Sequence, residues 1–231
     1  KIRYHFDEVI KIFRHFYDNE PDTLKKKRWV DSFDQVYLIR LGCFAEEATV
    51  AGRRAFDYYY GFSNFNQPDT IYNLFRKAVE INKEKSDYFV INPFSKILIE
   101  RFEAKKTDTA EAKLYANLLL DAIKYGSANC KGNECKSWDV IKDYAPYLLE
   151  TFEQIEGFYS PEFYKEKYLA YYKKNGNDCD TVDLVYRKLV WGGCDMKDPT
   201  FADIIKDRNS RCYIAPPEPG PLTKAFEFYN N

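Results

Sequence analysis

Glu46 and Glu47 stand seven residues ahead of Arg53 and Arg54, the arrangement in this chain that comes nearest to a catalytic carboxylate site. At i, i+7 spacing the four groups read more simply as surface ion pairs than as an acid and a base held for proton transfer. The two histidines, His5 and His15, are ten residues apart, which is not the i, i+4 spacing that puts two ligands on one helical face. There is no phosphate-cradling glycine loop, no Gly-x-Ser-x-Gly elbow and no His-Glu-x-x-His pair. The expectation is a non-enzymatic protein without a cofactor.

Cysteine is the other chemistry-bearing residue. Cys43, Cys130, Cys135, Cys179, Cys194 and Cys212 include no Cys-x-x-Cys knuckle, so their spacing argues against a zinc site. An even number of scattered cysteines reads as up to three disulfides in an oxidising compartment, in many possible connectivities, with a cytosolic set of thiols as the alternative. Cys130 and Cys135 flank a short polar loop that could close on itself or hold each cysteine for a different partner. The protein is therefore expected to be extracellular and secreted, with any signal peptide already removed.

With 45% apolar residues, a 231-residue chain can bury a full core. Lys plus Arg (35) balances Asp plus Glu (36), so no long-range field marks a nucleic-acid binder. The one basic run, Lys25 to Arg28, reads as a solvated helix face. No apolar run approaches the ~18 residues that would cross a bilayer.

Asp180 to Trp191 echoes Asp69 to Val79: five of eleven aligned positions are identical and four more exchange apolar or aromatic residues. Trp29 and Trp138, Phe44 and Phe152, and Asn92-Pro93 and Asp198-Pro199 recur in the same order at an offset of roughly 110 residues. The echo is either an internal duplication or the general likeness of amphipathic helices with Asp/Asn-Pro starts.

Apolar spacings of three and four predict an all-α, multi-helix bundle of about ten helices, read as two pseudo-repeats of about five each. The halves are placed at 1–106 and 107–214, followed by a proline-rich tail with a short helix at 215–231. The small residues Ala45, Ala48, Ala51, Gly52 and Ala55 would let a neighbouring backbone approach one helix closely. Tyr88 to Ile91 reads as an extended piece, Asn92 as the cap of the next helix with Pro93 at its first position, Asp69 as the cap of the first echoed helix, and Gly126 as a helix stop.

Aromatic residues make up 18% of the chain, 20 of them tyrosines. Buried tyrosines need partners for their hydroxyls, which implies either a core with polar-tipped seams or a lined cavity. Two facing halves would turn Tyr58, Tyr59, Phe75, Phe152, Tyr171, Tyr172, Tyr186 and Trp191 toward a ligand, while plain packing explains any one of them singly.

From Pro161 to Gly192 the order of Pro-Glu-aromatic, a Tyr/Leu-rich helix ending Lys-x-Gly, an Asp-rich loop and a helix with Leu-Val-x-x-Leu spacing resembles one segment of the insect allergen repeat family. The resemblance implies a secreted, duplicated helical protein whose halves enclose a lipid-filled cavity. Six cysteines and the proline tail depart from that pattern, and the broader class of disulfide-bearing helical salivary proteins of blood-feeding arthropods accommodates them. Two functions follow: sequestering a hydrophobic or amphipathic small molecule, or binding a host or partner protein through the surface of a solid core.

Overall fold

The computed structural model describes residues 3–62 and 67–212, so the expected tail helix and proline-rich stretch lie outside the described residues. Ten α-helices and no strand are found among the described residues. Two compact units divide at Gln154 and Ile155. The polar stretch at 106/107 is a turn between two helices that pack on each other.

In the first unit α1 (Tyr4–Asn19) buries Ile10 and Tyr17 against α2 (Thr23–Cys43). Asp22 caps α2 by accepting from the amides of Leu24 and Lys25. The small-residue face of α3 (Glu47–Gly61) packs on α4 (Pro68–Asn82) as its composition requires. A Cβ at Gly52 would stand 2.7 Å from Val90 Cγ2 and 3.4 Å from Ala78 Cβ, so this residue sets how closely the helices meet.

The run Tyr88 to Ile91 is the first turn of α5 (Tyr88–Glu103), not an extended piece, and Pro93 lies inside that helix. A short apolar run does not distinguish a strand from the buried face of a helix, and α5 has a broad one: Phe89, Val90, Ile91, Phe94, Ile97 and Leu98 are all buried. Burial offsets the backbone bond that Pro93 cannot make. Gly126 likewise does not stop α6 (Thr109–Asn129), because the indole of Trp138 on α7 (Glu134–Leu149) fills the space a side chain would take. Pro146 is accommodated near the end of α7, which turns into a 3-10 segment at Glu150–Gln154.

The aromatic core takes the polar-tipped form. Phe33 and Phe62 meet edge to face at 4.6 Å, Phe75 stacks on Phe94 at 5.9 Å, and all four are fully buried. Tyrosine hydroxyls donate to carboxylates at the seams: Tyr37 to Asp57 (2.7 Å), Tyr58 to Asp34 (2.7 Å) and Tyr72 to Glu111 (2.9 Å). Burial and the adjoining carboxylates push these hydroxyls up, Tyr72 to about 12, so they remain donors at any physiological pH.

At one seam the carboxylate is the strained partner. Desolvation holds the Asp57 carboxyl above its usual range, against the opposing pull of Tyr37 and Arg14. A carboxyl raised in the folded state favours folding while protonated; that contribution is complete below the unfolded value and is lost as pH rises through the folded one. Asp57→Asn, neutral throughout and able to accept the same hydrogen bond, should gain stability relative to wild type as pH rises from about 4 to about 7. Urea denaturation across that range checks this, and a difference that grows toward acid would refute it.

In the second unit Ser160 caps α8 (Pro161–Asn175), Asp178 caps α9 (Cys179–Trp191) and Asp198 caps α10 (Pro199–Asp207). Gly193 takes the left-handed conformation (φ 71°) that ends α9. The echoed helices α4 and α9 share an inward face only in part. Ile71 and Val182 are both buried, as are Ala78 and Leu189, whereas Val79 is buried and Val190 is exposed.

Candidate functional site

The first unit carries a cleft of about 170 Å³ where three helices converge. Tyr59 comes from the end of α3, Pro68 and Ile71 from the start of α4, Ile97, Glu100 and Arg101 from α5, Ala104 from its C-cap, and Lys106 from the turn that follows. Ile97, Arg101 and Ala104 share one face of α5 by their spacing of four and three. Lys105, at φ 56°, turns the chain so that the Lys106 amide donates to the Arg101 carbonyl. The walls are thus apolar, and the rim holds two cations and one carboxylate.

Arg101 is the most constrained of these groups. Its guanidinium lies 4.2 Å over the Tyr72 ring, its side chain is 17% exposed, and Nη1 donates to Asp69. Asp69 is therefore not the cap of α4, which begins at Pro68 after Gln67; its carboxylate sits in the first turn, held below the usual range chiefly by Arg101. The Arg101 Nε–H is buried and has no acceptor among the described residues. A buried donor left unmade costs about 1–3 kcal/mol. Burial and the Glu100 carboxylate raise the Tyr59 hydroxyl, which stays a donor.

A second cleft, of about 180 Å³, lies within the second unit between α8, α9 and α10. Cys194 lines it beside Lys165, whose ammonium pairs with Asp198. The Cys194 thiol donates to the Pro161 carbonyl at 3.3 Å, and burial pushes it up against the pull of Lys165. That environment favours the thiol over the nucleophilic thiolate.

The eight aromatic candidates are dispersed. Tyr59 lines the first cleft; Tyr58, Phe75 and Phe152 are buried among their neighbours in the first unit. In the second unit Tyr171 and Trp191 are exposed, Tyr172 donates to Asp207 at 2.6 Å, and Tyr186 stands against Phe201 and beneath Arg208. Sequence reasoning missed Arg101, Lys106, Glu100 and Ile97. The signal available was a basic residue following the apolar face of α5 at helical spacing.

The cysteines form two disulfides, Cys130–Cys135 and Cys179–Cys212. Neither bond includes Cys43 or Cys194. No cluster fit for a metal ion is found among the described residues. The acidic and basic pairs at and within α3 make ion pairs elsewhere instead of with each other: Glu46, the N-cap, with Arg3 and Arg40, Glu47 with Lys77, and Arg54 with Asp34, while Arg53 lies 3.9 Å over Phe89. Comparison with family models, curated proteins and solved structures finds no match, so what the cleft does is read from its own residues.

Proposed function

We propose that this chain is an extracellular binding protein that takes a small amphipathic molecule into the Tyr59–Arg101 cleft, its anionic head on Arg101 and its hydrocarbon part against Pro68, Ile71 and Ile97. The observation that carries the reading is the placing of Arg101 and Lys106 beside the apolar wall of Pro68, Ile71 and Ile97 in one cleft. Carboxylates and related anions are recognised by guanidinium and ammonium groups through charge-assisted hydrogen bonds. The two disulfides support an oxidising compartment. No helix among the described residues is long and apolar enough to cross a membrane. The cleft is smaller than the roughly 300 Å³ of a drug-sized site, which limits it to a short ligand or to one end of a longer one.

Isothermal titration with octanoate tests this. Wild type should bind, and Arg101→Met, which keeps much of the packing over Tyr72, should lose about tenfold or more, the value of a hydrogen bond to a charged group. Ile97→Trp, filling the apolar wall, should also lose binding. Absence of binding by wild type, or equal binding by Arg101→Met, would refute the reading.

A second reading, recognition of a partner protein, is favoured by one surface feature. Val140, Tyr144 and Tyr147 lie exposed on one face of α7, and tyrosine is enriched where proteins meet.

A further inference from the structure

The charges that line the same cleft fall on two sides of it. Ile97, Glu100, Arg101 and Ala104 stand at i, i+3, i+4 and i+7, one face of α5 and its C-cap. Arg101 is already engaged, with Asp69 through Nη1 and with the Tyr72 ring through its face. Lys106 and Glu100 are free. Both are exposed, both line the cleft, and neither side chain makes a hydrogen bond or ion pair with any described residue, the other included. Asp69, held down chiefly by Arg101, also feels Lys106, which places that ammonium toward α4. The Tyr59 hydroxyl, raised chiefly by burial, also feels Glu100, which places that carboxylate toward the end of α3. Lys96, one turn before Glu100 on α5, is engaged with the Tyr144 ring and hydroxyl instead. With Arg101 and Asp69 offsetting each other, the cleft keeps one unpaired cation and one unpaired anion on either side of an apolar wall. A ligand that is only an anion would answer the first and face the second.

We infer that the cleft takes a zwitterion, an α-amino acid with an apolar side chain, its carboxylate beside Lys106 and Arg101 and its ammonium on Glu100. This rests on the reading of the cleft as the ligand site and names the class of ligand. The two charged groups of such a molecule leave from one carbon, so both reach the rim while the side chain runs along Pro68, Ile71 and Ile97. Glu100 is exposed at the last full turn of α5 and caps no helix, so its replacement leaves the core of the unit intact.

The test is isothermal titration with L-2-aminooctanoate and with octanoate, which differ only by the α-ammonium, at about pH 6.5, where an α-amino group is protonated. Wild type should bind the amino acid about fivefold more tightly, the effect of one unit charge about 4 Å away in water. The gain should shrink as salt is added. Glu100→Gln should abolish the gain and leave octanoate bound at least as well, and Lys106→Met should weaken both ligands about fivefold. N-acetyl-2-aminooctanoate keeps the chain and the carboxylate without the positive charge, so it should bind wild type no better than octanoate, a control that leaves the protein untouched. Circular dichroism and urea unfolding of both variants confirm an intact fold. No gain in wild type, a gain that survives Glu100→Gln or acetylation, or undiminished binding by Lys106→Met overturns the zwitterion. The cleft itself still stands if octanoate binds wild type and not Arg101→Met. Binding of neither octanoate nor 2-aminooctanoate by wild type overturns both.

Discussion

Gly126→Ala is expected to destabilise the first unit by about 2–4 kcal/mol, although alanine is the better helix former by about 1 kcal/mol. A Cβ at this position would lie 2.2 Å from Trp138 Cζ2, 2.4 Å from Cε2 and 2.5 Å from Cη2. These are atoms of a rigid ring with no soft end to yield. Trp138 is only 3% exposed, its indole Nε1–H donates to Glu134, and Tyr88 stands edge-on to it at 6.4 Å. The ring must therefore leave its pocket or push α6 and α7 apart. Overpacking of a filled core costs about 1–3 kcal/mol, and loss of a buried tryptophan's contacts about 3–5 kcal/mol. Urea unfolding monitored by tryptophan fluorescence and by circular dichroism measures the change. If the clash is the cause, Trp138→Leu should cost less in the Gly126→Ala background than in wild type, a coupling of at least about 1 kcal/mol. A single variant within about 0.5 kcal/mol of wild type would refute the account.

The same contact explains where the sequence could and could not be read. Helix starts with a polar cap and proline, Ser160-Pro161 and Asp198-Pro199, are local signals, and both helices begin there. Gly126 looked equally local, as a stop, but its role is set by a tryptophan twelve residues away on another helix. Tyr88 to Ile91 had the composition of a strand and became helix because burial on every side overrides local preference. The tyrosines allowed two outcomes, and the choice depended on whether Asp34, Asp57 and Glu111 would reach their hydroxyls across the bundle. The cleft was hidden for a related reason. Tyr59, Pro68 and Arg101 are far apart in the chain, and the contact that joins them is the close approach permitted by Ala48, Ala51, Gly52 and Ala55. That small-residue face was legible; the groups it would gather at its end were not.

Breaking the Cys179–Cys212 bond should have the larger effect of the two disulfides, about 3–4 kcal/mol against about 2 kcal/mol for Cys130–Cys135, because the constraint on the unfolded chain grows with the loop closed. The sequence separations are 33 and 5. The longer bond ties the first residue of α9 to the turn that follows α10, and so encloses both helices. Helices α9 and α10 are short, and their buried apolar residues, Val182, Val185 and Leu189 on α9 with Phe201 and Ile204 on α10, form a small set. Such a set supplies little margin without a covalent brace. Arg211 reinforces the same closure by donating to the carbonyls of Gly176 (2.6 Å) and Asn177 (2.7 Å) and to Asp207. These polar contacts depend on the chain being held near α8, so they should weaken together with the bond instead of replacing it. Cys179→Ser/Cys212→Ser should therefore unfold earlier in urea than Cys130→Ser/Cys135→Ser, and proteolysis should begin between residues 176 and 212 in the first variant and near residues 130–135 in the second. Wild type treated with a reductant should match the sum of the two variants, since the sites are independent in the chain and share no partner. Equal midpoints for the two variants, or a reduced protein as stable as the oxidised one, would mean that packing alone holds α9 and α10.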